Sequence, residues 1–87
     1  MNKNEIRIGD VLYEPSIMYN RVIEHKIVDM YMEKYISGWG TIITTESWLG
    51  RNSRFASDVM RWHLTKEDAQ KVIDKRTKAF ERSMPLI

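Results

Sequence analysis

Two histidines, a scatter of carboxylates and no cysteine are what this 87-residue chain offers for chemistry. His25 and His63 could each serve a serine as general base, but there is no Gly-x-Ser-x-Gly elbow and no thiol. Neither histidine has the short His/Cys spacing that zinc requires. In the alternating segments that hold them, both read as surface or edge positions of strands. Glu14, Glu24, Asp29, Glu33 and Glu46 are spaced as strand-surface charges. Glu67-Asp68 is an adjacent pair, but it sits where a helix needs negative charge in its first turn. Acid/base work on a glycoside needs two carboxylates facing each other across a cleft. Gly38-Trp39-Gly40 has neither the length nor the lysine of a phosphate loop. No catalytic, cofactor-binding or metal-ligating residue is assigned, and the chain reads as not an enzyme.

Two groups of residues are suited to contact instead. From Trp48 to Trp62 the chain interleaves Trp48, Phe55 and Trp62 with Arg51, Arg54 and Arg61. Arginine offers hydrogen-bonding forks and aromatics offer stacking faces, a combination used on single-stranded nucleic acid and at protein–protein hot spots. The ordinary alternative is that the aromatics fill the core and the arginines are solvated. The second group is Met30, Met32 and Trp39, with Tyr31, Tyr35 and Ile36 between them. If Met30–Ile36 is a strand, both its faces are apolar. The helix, a second copy of the chain or a partner must then cover one.

The element that anchors the rest is a helix over about 66–82. Thr65 is a good N-cap, Asp68 makes an imperfect capping box, and Leu64 closes on Ala69 as a staple. Ala69, Val72, Ile73, Arg76 and Phe80 share one helical face. Before it the chain reads as strands. Val11-Leu12-Tyr13 stops at Pro15, Thr41–Thr45 is β-branched, and Asp58–Leu64 alternates. Residues 19–36 fit both a helical face and a long strand with a bulge near Ile27. The glycine-flanked Gly38-Trp39-Gly40, taken as a hairpin connection, favours the strand. Residues 48–55, with Gly50, Asn52 and Ser53, read as an exposed loop between two strands. The expected fold is α+β: a small curled antiparallel sheet of about four strands over 8–64, with one C-terminal amphipathic helix packed on it. Residues 1–87 form one domain.

Composition sets the frame. A chain this short buries only about 60–65% of its unfolded surface. With 43% hydrophobic and 30% charged residues it is too apolar for a disordered segment. A small secreted domain usually needs disulfides, so the absence of cysteine, together with a polar N-terminus, places the expected compartment in the cytoplasm. Net charge is +2, but residues 1–50 carry five Lys/Arg against seven Asp/Glu, and residues 51–87 nine against five. The second half is therefore a candidate polyanion surface, or simply a solvated one.

Three segments carry a resemblance: Ile8-Gly9-Asp10-Val11-Leu12-Tyr13-Glu14-Pro15, the long strand Val22–Val28, and Trp62-His63-Leu64-Thr65-Lys66-Glu67-Asp68-Ala69. In layout the chain resembles a class of short phage and bacterial proteins, mostly of unassigned function. The resemblance implies a curled, SH3-like sheet followed by a C-terminal helix, and brings no active site with it. By size and layout the leading expectation is an interaction protein, phage-encoded, that binds and inhibits another protein such as a CRISPR-type host-defence nuclease. Its partner-binding residues would be Trp48, Arg51, Arg54, Phe55, Arg61, Met30, Met32 and Trp39. The alternatives are a nucleic-acid-binding module using the Arg/aromatic segment, and a small enzyme or ligand-binding protein whose site forms between subunits. No cofactor and no membrane partner is expected; a homodimer is compatible with each reading.

Overall fold

The computed structural model describes residues 5–83 for the backbone and 5–79 for side chains. Four strands form one antiparallel sheet in chain order: β1 (Val11–Ser16), β2 (Arg21–Tyr35), β3 (Gly38–Ser47) and β4 (Gly50–Phe55). A one-turn helix, α1 (Ala56–Val59), follows β4, and the long helix α2 (Lys66–Ser83) closes the described chain. The small α+β fold expected from the sequence is the one observed.

Residues 19–36 resolve in favour of the strand. β2 pairs with β1 through Arg21–Lys26 and with β3 from Lys26 to Tyr35, and its register shifts between Ile27 and Asp29. Val28 is the extra residue of a bulge, beside the position the alternation marked. The shift is what allows Ile27 and Met30 to share one face with Ile43 and Thr45.

Four boundaries differ from the sequence reading. β1 runs through Pro15, which is tolerated because β1 has β2 on one side and, at this end, no described strand on the other. The β2–β3 turn is Ile36-Ser37, so Gly38, Trp39 and Gly40 all lie within β3 rather than in the connection. Residues 48–55 are not an exposed loop: Trp48-Leu49 is a two-residue turn, and Gly50–Phe55 is a full strand. Both turns are followed by a glycine with positive φ, +125° at Gly38 and +109° at Gly50. That left-handed residue lets a two-residue turn rejoin the strand twist. Finally, Asp58–Leu64 is not a strand. Ala56–Val59 is helical, Met60 and Arg61 turn, and only His63 bridges, pairing with Tyr13 on the outer edge of β1. Val59 and Trp62, three apart, both turn inward, a helical spacing that a strand would place on opposite faces.

This 56–64 segment covers one face of the sheet. Val59 and Trp62 pack with Ile6, Leu12, Ile27 and Ile43, and Met30, Ala56, Met60 and Leu64 lie against them. Helix α2 lies against β1 and β2. Among its described side chains Ala69 and Ile73 are buried, as the periodicity predicts, and Arg76 donates to the Pro15 carbonyl at 3.1 Å. The Thr65 hydroxyl accepts from the Asp68 amide at 3.2 Å, which makes it the N-cap. The Phe80 side chain lies outside the described residues.

Replacing Thr65 by Ala removes that bond and is expected to cost about 1 kcal/mol. Ile73→Ala, at a side chain 4% exposed, is expected to cost about 2–5 kcal/mol. Urea denaturation of the two variants should rank them in that order; equal midpoints would mean that α2 does not dock through Ile73.

Candidate functional site

The expectation that His25 is a surface residue is wrong: it is 2% exposed. On the face covered by residues 56–64, the strand registers bring together Glu14 of β1, His25 of β2, Thr45 of β3 and Arg54 of β4. The His25 Nε2 lies 2.7 Å from the Glu14 Oε1, and its Nδ1 lies 3.3 Å from the Thr45 Oγ1. Arg54 donates to that same hydroxyl oxygen, also at 3.3 Å. The Glu14 carboxylate can only accept, so the neutral imidazole carries its proton on Nε2 and donates it there. That leaves Nδ1 as an acceptor, and the Thr45 hydroxyl donates to it while accepting from Arg54. Donation runs one way across four strands, from Arg54 to Thr45 to His25 to Glu14. Among the described residues no buried side-chain polar atom lacks a partner.

Trp62 closes the network. Its ring stacks on His25 at 4.0 Å between centroids with 17° between planes, and the Arg54 guanidinium lies 5.1 Å from the Trp62 centroid. Burial depresses the His25 pKa, against the bond and charge of Glu14, and the Arg54 charge depresses it further. The imidazole is thus neutral at pH 7, and its contact with Glu14 is a hydrogen bond rather than an ion pair. Thr45, His25 and Glu14 have the order of a hydroxyl–imidazole–acid relay. Yet Thr45 is 1% exposed and its oxygen already accepts from Arg54, so no attacking atom is presented. Among the described residues no group of three His, Cys, Asp or Glu could hold a metal ion.

The Arg/aromatic segment is consequently taken apart. Trp62 is core and Arg54 is partly buried beneath it, while Arg51 pairs with Glu46 at 3.3 Å on the exposed sheet surface. Arg61 is exposed in the turn after α1. Trp48 and Phe55 stay outside, at opposite ends of β4. Phe55 meets Tyr35 at 5.3 Å, with Gly40 between strands giving the Tyr35 ring room. Met30 is half-buried, whereas Met32 and Trp39 are exposed on the far part of the β2–β3 hairpin.

What the structure brings together instead are two turns. Tyr19, from the β1–β2 connection, meets Trp48 of the β3–β4 turn edge to face at 5.3 Å, and Arg21 lies 5.5 Å from the Trp48 centroid. Met18 and Leu49 lie beside Tyr19 on the same two turns, and Ile17 and Met18 of the first turn are 77% and 84% exposed. Between these turns and the buried network lies a groove of ≈ 380 Å³, whose lining includes Met18, Tyr19, Leu49, Glu14 and Arg54. Ile17, Met18, Tyr19 and Leu49 are not among the contact residues expected from the sequence. A usable signal was present: Ile17-Met18-Tyr19 is an apolar run between Pro15-Ser16 and Asn20, where turn chemistry favours polar residues.

No known protein family, curated protein or solved structure matches this chain. Among the described residues no helix is long and apolar enough to cross a membrane.

A histidine whose pKa is lower folded than unfolded stabilises the fold above its unfolded value near 6.5. That contribution is lost as pH falls through the folded pKa, because the folded state must then bury a charge. Melting temperature should therefore fall between pH 7 and 5 in the parent, and fall less steeply in His25→Gln. Parallel profiles would show that His25 does not set the pH dependence.

Proposed function

We propose that this chain is a non-enzymatic interaction protein that binds and modulates another protein, docking it on the surface made by the two turns. The observation that carries this reading is the Tyr19–Trp48 contact. It gathers exposed apolar residues from two separate turns into one patch, beside a groove walled by a carboxylate and a guanidinium. Trp, Tyr, Met and Arg are the residue types that protein interfaces favour. Scattered surface leucines need no explanation, but a contiguous patch built by two turns does. Glu14 and Arg54 beside the patch are already held by His25, Thr45 and Trp62, which lowers the ordering cost of using them in binding.

Protein contact is favoured over nucleic acid by the fate of the arginines. Arg51 is engaged by Glu46 and Arg54 by Thr45 and Trp62, which leaves few free forks for phosphates. The role as an inhibitor, and the phage setting that the resemblance implies, belong to the same proposal and rest on layout.

Affinity capture from the source cell, with nuclease treatment, should retain one partner at stoichiometric yield with the parent. Trp48→Ala should weaken that partner's binding about tenfold or more, about 1.4 kcal/mol, with the melting temperature nearly unchanged. Lys71→Ala, on the outer surface of α2, should do neither. Full retention by Trp48→Ala, or loss of the captured material on nuclease treatment, would refute the proposal.

A further inference from the structure

The outer part of the β2–β3 hairpin is a two-stranded arm. β1 ends its pairing at Lys26, and β4 reaches only Ile42, whereas β2 and β3 continue to Tyr35 and Gly38. On the outer edge of β2, Ile27 is the last residue with its backbone engaged, giving its N–H to the Asp10 carbonyl and accepting from the Gly9 amide. Beyond it no described strand lies beside β2. The Met30 amide is met there only by the neighbouring Asp29 carboxylate, at 2.9 Å. By the alternation of a strand, the backbone groups of Met30, Met32 and Lys34 face this open edge. An unpaired edge with apolar side chains on both faces is a template for another strand. Met32 and Tyr31 are exposed on opposite faces, and Ile36 is fully exposed at the tip.

We propose that this edge pairs antiparallel with the same edge of a second copy of the chain, about a twofold axis at Met32. Such an axis, perpendicular to the sheet, sets each residue opposite one of the same face. Met32 then meets Met32, Tyr31 meets Glu33, Met30 meets Lys34, Asp29 meets Tyr35, and Val28 meets Ile36. No like charges oppose each other, and the stem of Lys34 covers Met30. An axis at Tyr31 would set Asp29 against Glu33 and press Tyr35 onto Ile27, whose backbone is already used. An axis at Glu33 sets Glu33 against itself. Charge and free backbone thus select one register of three. This surface is separate from the two-turn patch, and its failure would leave that reading intact.

Sedimentation equilibrium at millimolar concentration tests it. The parent should be a dimer. Met32→Lys places two ammonium groups on the axis and should weaken association about tenfold. Tyr31→Lys should leave it unchanged or tighter, since each new lysine faces Glu33 of the other copy. Both sites are exposed, and circular dichroism should confirm that both variants stay folded. A monomeric parent, a dimer indifferent to Met32→Lys, or equal weakening by Tyr31→Lys would overturn the proposal.

Discussion

One buried imidazole holds this sheet together. His25 is hydrogen-bonded at both nitrogens and stacked under Trp62, and through Thr45 and Glu14 it ties the edge strands β1 and β4 to the centre. A polar group out of water is costly unless every member of its network is satisfied, and here every member is. The arrangement also selects register. A slip of one residue in β2 would carry His25 to the other face, away from Glu14, Thr45 and Trp62 together. Trp62 in turn fixes the 56–64 segment, so that His63 reaches Tyr13 and Thr65 stands where α2 begins.

A rigid centre of this kind explains where apolar surface is left over. With one face occupied by Leu12, Ile27, Ile43, Val59 and Trp62, most of the exposed large apolar side chains lie towards the two ends of the sheet. One end presents Met18, Tyr19, Trp48 and Leu49 on two turns; the other presents Met32, Ile36 and Trp39 on the projecting arm. The chain extends 53 Å along its longest axis and only 29 and 25 Å along the others. Its two proposed contact surfaces are therefore well separated, and one can be filled without hindering the other.

The elements legible in the sequence were those specified locally. Thr65, Asp68 and the Ala69–Ile73 periodicity announce α2, and the parity change around Ile27 announces the bulge in β2. What was not legible depended on tertiary contact. His25 reads as an edge residue because nothing nearby in sequence says that Glu14, Thr45, Arg54 and Trp62, up to 37 positions away, will satisfy it. Gly50-Arg51-Asn52-Ser53-Arg54 has turn composition, yet becomes a strand because β3 offers it an edge and the turn at Trp48-Leu49 aligns it. The Arg/aromatic spacing misled for the same reason, since strand geometry turns Arg54 inward and Arg51 outward.

The protonation of His25 is the most direct measure of this account. Long-range proton–nitrogen correlation NMR on the histidine rings distinguishes Nε2–H, Nδ1–H and the doubly protonated form. The donor chain from Arg54 through Thr45 requires a neutral His25 at pH 7 with its proton on Nε2, titrating below 6.5. An imidazolium at pH 7, or a proton on Nδ1, would contradict it and with it the network that sets the register of the sheet.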